Sequence, residues 1–267
     1  MTTAVASPLT LLLAQLGGMQ TAGFILVLAR VTPLFIVAPL FSSRQIPARV
    51  RTIVACALAV GLTPVAMHGQ HVPNDVLALF GLVFKELLVG LAFALSIALL
   101  FAAVSSAGTF LDMLVGFSFG ATVDPLSGNQ SAVLTQVYGL VALAVFVAID
   151  GTSWIVSGLA RTYDLVPLTA APDVAALASG VLASFATIFS SALEVAAPVL
   201  LAMVITDVAF GVVTRVVPQL NVFAVGFPVK VVVGLLVVGA SLPFVSGWIS
   251  DQLQTSVAQA LQTVKLA

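Results

Sequence analysis

The sequence predicts an all-α, polytopic membrane protein, on the basis of its composition, the length of its apolar runs and their lack of strand-like alternation. Of the 267 residues, 61% are hydrophobic and only 7% are charged, and the mean hydropathy is +1.22. Soluble domains carry about 25% charged residues. A globule of this length needs more polar surface than nine basic and ten acidic residues can supply. Lipid or apolar protein must therefore surround most of the chain.

Six apolar stretches have about the length needed to cross a hydrocarbon core, which takes about 20 residues of helix. A strand of a membrane barrel would alternate polar and apolar residues, whereas LVALAVFVAI at 140–149 is apolar on every face. Backbone polar groups in lipid must be satisfied within the segment, which favours helices. We therefore predict about six long apolar helices in hairpins, at about 9–29, 52–67, 76–105, 131–149, 180–206 and 229–249.

The connections between these runs are apolar, yet they are also rich in Pro and Gly. The connections at 30–51 and 106–131 contain LFIVAP and MLVGFSFGA, and 208–230 has a similar character. Such strings would aggregate if exposed to water. Irregular backbone at membrane depth is tolerated only where it is buried in protein or lines a cavity. These connections therefore indicate a component of a larger assembly.

Basic residues fall mainly on one side of the predicted topology. On the opposite side lie Arg161 and Lys265. The positive-inside rule makes the more basic side cytoplasmic, so both termini are predicted to lie outside. The residues on the cytoplasmic side are Arg30, Arg44, Arg49, Arg51, Arg215 and Lys230.

One short string fits a catalytic pattern, because GFSFG at 116–120 matches the G-x-S-x-G of serine hydrolases. A nucleophilic serine needs a His base beside it. The only histidines, His68 and His71, lie in a connection on the predicted opposite face. We therefore expect no enzyme activity from Ser118 and interpret the string as a small-residue loop.

Metal binding has equally little support in the sequence. His68, His71 and Asp75 are explained more simply as a short polar connection, and the single Cys56 excludes a thiolate cluster. We predict neither a metal nor a cofactor.

Charged residues inside apolar runs are functional candidates by default. Lys85 and Glu86 are adjacent and point about 100° apart on a helix, so we expect them not to pair with each other and each to find a partner elsewhere. Glu194 lies inside the fifth run and Asp207 closes it. An ion-coupled secondary transporter would use such carboxylates as a relay, whereas a helical assembly would use them as polar contacts between helices or towards an aqueous channel. The halves of the chain show no evident duplication, which weakens the inverted-repeat transporter interpretation.

Four stretches, in order over about residues 25–240, resemble the flagellar export-gate family FliR and its type III secretion counterparts. The fourth is the most specific, whereas DGTSW at the third departs from the Asn-Gly-His type of sequence that is more common in the family. FSSRQIP and DPLSGNQS look more flagellar than injectisome-like. The stretches are RVTPLFIVAPLFSSRQIPARVR (30–51), KELLVGLAFAL (85–95) leading into DPLSGNQS (124–131), GTSWIVSGLARTYDLVPL (151–168) and VVPQLNVFAVGFPVKVVVGL (216–235).

The resemblance implies a structural, non-enzymatic role in the bacterial flagellar basal body. FliR-like proteins join several FliP and FliQ subunits, with an FlhB-like protein, in a gate of the inner (cytoplasmic) membrane. Unfolded flagellar subunits leave the cytoplasm through this gate. The resemblance further implies one integral-membrane domain over 1–267, with a FliP-like part at about 1–179 and a FliQ-like hairpin and tail at about 180–267. Membrane lipid is a further expected partner, and the net charge of −1 gives no sign of nucleic acid.

The resemblance also assigns three groups of candidate residues. The loop matching Gly108–Asn129 is expected to project into the channel as a plug, and a turn at 208–228 is expected to contact partners on the cytoplasmic side. The third group is expected to make polar intersubunit or channel contacts rather than a proton relay. The plug candidates are Met113, Leu114, Gly116, Phe117, Phe119, Asp124 and Pro125; the turn candidates are Arg215, Pro218, Gln219, Asn221 and Phe223; the polar contacts are Lys85, Glu86 and Glu194.

Overall fold

The structure, a computed structural model, describes residues 18–39, 41–42, 46–70, 72–73, 75–118, 132–219 and 222–266. Helices dominate this part of the chain, and none of its residues forms a strand. The predicted all-α fold class is therefore confirmed. The helices are α1 (Gly18–Val37), α2 (Ala48–Ala66), α3 (Val76–Val115), α4 (Val133–Ala148), α5 (Gly151–Leu165), α6 (Val174–Ala186), α7 (Ile188–Val216) and α8 (Val222–Leu266).

The chain is a multi-pass membrane protein by the length and composition of its helices. In the described ranges, four segments are long and apolar enough to span a bilayer, and α4 with α5 makes a fifth if the pair counts as one span. The described residues therefore contain four or five such segments, fewer than the six or so that were predicted. The run predicted at 9–29 lies partly outside the described residues, and the rest of it belongs to the shorter apolar helix Thr21–Val37. The four spans are Ala48–Ala66, Val76–Val115, Val174–Val216 and Ala224–Lys265.

Helices include much of the sequence that was predicted to be irregular. Helix α1 continues through Arg30 to Val37 although it contains Pro33, and α3 continues to Val115. Helix α5 occupies the first half of the interval between the runs predicted at 131–149 and 180–206. Pro and Gly break helices readily in water, but an unsatisfied backbone group in apolar surroundings costs several kcal/mol, so the helix continues.

The chain divides into two compact units that each contain several chain segments. The first unit comprises Met1–Ala98, Ser153–Ala183 and Ser256–Ala267, and the second comprises Leu99–Thr152 and Ser184–Thr255. The predicted FliP-like and FliQ-like parts refer to likeness with other proteins, and they stay a prediction.

The core of the first unit is built from buried side chains of several of its helices. Its fully buried side chains include Leu26 and Leu34 of α1, Phe93 of α3, Leu159 of α5 and Val264 of α8. Closely packed apolar side chains of this kind supply most of the stabilisation of a helical unit. Arg30 is also fully buried among them, which is unusual for a charged residue.

The second unit buries fewer of its large apolar side chains. Phe101 and Phe146 pack at 5.8 Å between ring centroids, and Tyr138 is fully buried. By contrast, α7 and α8 leave many large apolar side chains exposed, including Leu201 and Leu236 at more than 60%. Apolar surface of this extent requires lipid or a protein partner.

Candidate functional site

Three charged side chains meet inside the first unit. Arg30 of α1 and Glu86 of α3 are fully buried, and Lys85 of α3 is 8% exposed. The Arg30 guanidinium binds Glu86 with two bonds: Nε donates to Oε2, and Nη2 donates to Oε1 at 2.9 Å. Bidentate pairing of this kind is the strongest ion-pair geometry that proteins use. We call Arg30, Lys85 and Glu86 the buried charged cluster.

Lys85 joins the cluster by contacting its sequence neighbour. Its Nζ lies 2.7 Å from Oε1 of Glu86 and donates to the carbonyl oxygens of Pro167 and Leu168 at 2.8 and 2.9 Å. The expectation that Lys85 and Glu86 do not pair was therefore wrong. That expectation considered only the directions of the two Cα–Cβ bonds, whereas the flexible four-carbon stem of Lys lets the ammonium reach sideways.

Residues at the end of α5 complete the surroundings of the buried charged cluster. Arg30 Nη1 donates to Thr162 Oγ1 at 3.1 Å, and Nη2 donates to the carbonyl oxygen of Val166 at 2.8 Å. The Arg30 guanidinium carbon also lies 4.3 Å from the ring centroid of Tyr163. Two cations and one carboxylate leave a net charge of +1, and the carbonyl groups at the negative end of α5 offset it.

A glycine explains why Glu86 meets Arg30. Gly90 lies one turn after Glu86, so both residues share a face of α3. A Cβ atom added at Gly90 would fall on the backbone carbonyl of Arg30. The missing side chain therefore lets α1 approach α3 closely, and this brings the guanidinium onto the carboxylate. The glycine one helical turn after Glu86 is visible in the string KELLVG (85–90). The string does not show that the partner of Glu86 is a buried arginine.

The arrangement is suited to joining helices rather than to chemistry. Both oxygens of Glu86 bind cations, and Arg30 and Lys85 donate to backbone oxygens or Thr162. Each charged group of the cluster thus has partners within this chain. Intersubunit or channel contacts by Lys85 and Glu86 stay a prediction.

The other two intramembrane carboxylates lie in the second unit and are more exposed. Glu194 of α7 accepts a hydrogen bond from Trp248 Nε1 of α8 at 3.1 Å. Asp207 of α7 and Lys230 of α8 form an ion pair at 2.8 Å, and the Asp207 side chain is 53% exposed. The intersubunit role predicted for Glu194 stays a prediction.

The first part of the predicted plug loop, Gly108–Val115, forms the last two turns of α3 and is not a loop. Met113 is 68% exposed, whereas Leu114 and Phe117 are half-buried. Gly116 ends the helix with a φ of 102°, a backbone conformation that favours glycine. The remaining plug candidates Phe119, Asp124 and Pro125 lie outside the described residues.

Helices occupy much of the interval 208–228 that was predicted to form the partner-binding turn. Helix α7 ends at Val216, and α8 begins at Val222. Arg215 in the last turn of α7 is exposed, as are Pro218 and Gln219 after it. Asn221 and the side chain of Phe223 lie outside the described residues. Partner contact through these residues stays a prediction.

The structure describes two of the candidate hydrolase and metal residues in different units. His68 is exposed in the first unit, Ser118 is half-buried in the second, and His71 lies outside the described residues. Among the side chains that the structure describes, no three His, Cys, Asp or Glu residues form a group that could hold a metal ion.

Comparisons with known proteins agree with the resemblance on which the site residues were chosen. The family model of bacterial export proteins, family 1, matches residues 21–256. The chain is 34% identical over 227 residues to the flagellar biosynthetic protein FliR of Bacillus subtilis (strain 168), covering 83% of this chain and 87% of that protein. It is 29% identical over 219 residues to FliR of Escherichia coli (strain K12), covering 82% and 84%. It is also 25% identical to the surface presentation of antigens protein SpaR of Shigella flexneri, over 79% of this chain and 82% of that protein.

Proposed function

The chain belongs to the bacterial export proteins of family 1, and on this premise we propose that it is a channel-forming structural component of a flagellar type III protein export gate in the cytoplasmic membrane. In this role it passes unfolded flagellar subunits outwards and performs no catalysis. The family match over 21–256 carries the proposal, because it includes most of every described helix. The relatives named FliR, which include the one at 34% identity, favour the flagellar system over the injectisome.

The lengths of the helices support an assembly in which protein replaces part of the lipid. Helix α3 has 40 residues and α8 has 45, whereas about 20 residues cross the hydrocarbon core. The excess is too large to be absorbed by an ordinary tilt. Parts of these helices are therefore expected to pack on other subunits outside the bilayer.

The proposed partners are FliP-like and FliQ-like subunits, an FlhB-like protein and membrane lipid. The hairpin of α7 and α8 supports a FliQ-like part from about residue 180, after a FliP-like part. Asp207 contacts Lys230 and Glu194 contacts Trp248, and such a pairing order makes the two helices antiparallel. A half-exposed ion pair is costly against lipid tails, so the face that carries Asp207 and Lys230 is proposed to be covered by a partner subunit.

The loop that follows α3 is proposed to plug the channel at rest. The end of α3 supplies exposed Met113 and half-buried Leu114, and the loop begins with half-buried Phe117. An apolar seal of this kind excludes hydrated ions. The left-handed Gly116 turns the chain away from the helix axis at this point.

An ion-coupled secondary transporter is the alternative function, and the carboxylate contacts argue against it. A coupling carboxylate must exchange its ion or proton, yet both oxygens of Glu86 are occupied by cations and Asp207 is paired with Lys230. Releasing a buried ion pair leaves an uncompensated charge, which costs several kcal/mol.

Co-expression with FliP-like and FliQ-like subunits from the same flagellar system tests the proposed function. We expect the chain to purify in mild detergent as part of a large hetero-oligomer of fixed stoichiometry, measured by mass spectrometry of the intact complex. We also expect it to restore motility to cells of its source that lack it. A monomer or small homo-oligomer that binds a small solute would instead support the transporter.

Shortening the plug loop is expected to make the assembled gate leak ions. Residues 117–129 are replaced by four glycines, which removes Phe117 and Phe119 and leaves α3 and α4 in place. Ion flux into proteoliposomes that contain the purified complex measures the result, and a leak at least tenfold above that of the wild-type complex is expected if the apolar seal is lost. A fully assembled complex that stays as tight as the wild type would contradict the plug.

A further inference from the structure

One buried carboxylate connects the end of α3 to the beginning of α4. Asp112 is only 4% exposed. Its Oδ1 accepts a hydrogen bond from the backbone N–H of Leu134 at 2.8 Å. Its Oδ2 accepts from the N–H and from the hydroxyl of Thr135, at 3.0 and 2.8 Å. Three hydrogen bonds thus bridge residues that are 22 and 23 positions apart in the sequence.

Helix α4 depends on Asp112 because it has no local cap. The first N–H groups of a helix lack intrahelical partners, and a side-chain oxygen at the N-cap usually accepts from them. The N-cap of α4 is Ala132, which makes no side-chain hydrogen bond. Asp112 supplies the missing acceptor from another helix, and its negative charge lies at the positive end of the α4 dipole.

The backbone of Asp112 binds the other end of the same loop. Its carbonyl oxygen accepts from the N–H groups of Gly116 and Ser118, both at 3.2 Å. The hydroxyl oxygens of Thr109 and Thr135 lie 3.2 Å apart beside it. One residue therefore contacts both the first residues of the loop after α3 and the first turn of α4 after the loop.

We propose that Asp112 is a positioning residue that holds the two ends of the loop together, and that the resting seal of the channel depends on this bridge. This inference rests on the proposed plug function. If Asp112 is released, Met113 and Leu114 at the end of α3 and Phe117 after it lose their fixed position relative to α4. The seal that these side chains are proposed to form then opens.

Asp173 provides a matched control for an ordinary helix cap. Its Oδ1 accepts from the N–H groups of Ala175 and Ala176 at 2.9 and 3.3 Å, so it caps α6 from the adjacent sequence. Asp112→Ala and Asp173→Ala both remove a capping carboxylate. Only the first also separates the two ends of the loop.

Ion flux through purified, assembled complexes in proteoliposomes tests the proposal. We expect Asp112→Ala to raise the resting leak about tenfold. Losing hydrogen bonds to a buried carboxylate shifts the equilibrium between the bridged and the released state by about this factor. Asp112→Asn keeps one acceptor oxygen and is expected to leak less, and it replaces the Ala variant if that variant does not assemble. Asp173→Ala is expected to stay as tight as the wild type.

A reversible cross-link distinguishes positioning from loss of charge. Thr109→Cys and Thr135→Cys are introduced into the Asp112→Ala protein together with Cys56→Ser, because the neighbouring hydroxyls bring two thiols within reach of each other. Oxidation is expected to restore the seal, and reduction is expected to open it again.

The outcomes separate this inference from the proposed function. Two results overturn the role of Asp112 but leave the plug standing, provided that the loop-shortened complex leaks. In the first, the Asp112→Ala complex stays tight. In the second, the Asp112→Ala and Asp173→Ala complexes leak equally. A leak of the Asp112→Ala complex that the oxidised cross-link does not reduce also overturns the positioning role. A tight loop-shortened complex overturns the plug itself.

Discussion

Replacing Glu86 with Gln is expected to lower the free energy of unfolding by about 3–5 kcal/mol, the range for removing one partner of a buried ion pair. The substitution keeps the shape of the side chain but removes the charge that neutralises Arg30 and Lys85. Arg30 is fully buried, so an unpaired guanidinium remains in the core of the first unit. The new amide group also presents N–H donors to the donors of two cations.

Thermal unfolding of the purified complex in mild detergent measures the effect. We expect the midpoint to fall by about 10 °C for Glu86→Gln. Asp173→Asn is the control, because Asp173 is exposed and caps α6 from the adjacent sequence, and asparagine caps a helix about as well as aspartate. Equal shifts for the two variants would contradict the importance of the buried charged cluster.

Removing all three charges of the buried charged cluster tests its contribution to stability in a second way. A triple variant, with Arg30→Met, Lys85→Met and Glu86→Leu, leaves no buried charge behind. Replacing buried ion pairs by apolar residues is often neutral or stabilising. We therefore expect the triple variant to unfold at a higher temperature than Glu86→Gln. A lower midpoint would show that the carbonyl groups of Val166, Pro167 and Leu168 need the cations as donors.

Composition was sufficient to predict a membrane protein, because a chain with so few charges has no soluble alternative. The long apolar runs without alternation then predicted helices. Helix boundaries were predicted less well. Arg30 was placed in a loop because a charge usually ends an apolar run, yet it lies inside α1. Its partner Glu86 is 56 residues away, and no local pattern shows such a contact.

The sequence also identified Lys85 and Glu86 as candidates without showing their geometry. Their charge inside an apolar run was the signal, whereas their mutual contact depends on side-chain torsion angles. Asp112 was visible only as one of two aspartates in a Gly-rich connection. Its role as a cap for α4 comes from a contact between two helices that tertiary packing brings together, so propensity and spacing could not reveal it.

Alanine at Gly90 and alanine at Gly81 are expected to have opposite effects on stability, although both residues lie in α3. At Gly90 the new Cβ would fall on the backbone carbonyl of Arg30. A backbone group cannot rotate away as a side chain can, so α1 and α3 must separate. Overpacking of this kind costs about 1–3 kcal/mol, and here it also pulls Arg30 away from Glu86.

At Gly81 a Cβ atom meets nothing within 4 Å. Alanine then contributes only its helix propensity, which exceeds that of glycine by up to about 1 kcal/mol. We therefore expect the unfolding midpoint to rise slightly for Gly81→Ala and to fall for Gly90→Ala, and the yield of assembled complex to fall only for the latter. If both alanines shifted the midpoint in the same direction, close approach at Gly90 would not be what brings Arg30 onto Glu86. The same comparison in the Arg30→Met, Lys85→Met, Glu86→Leu background separates the two costs, because there only the steric part of the Gly90→Ala penalty remains.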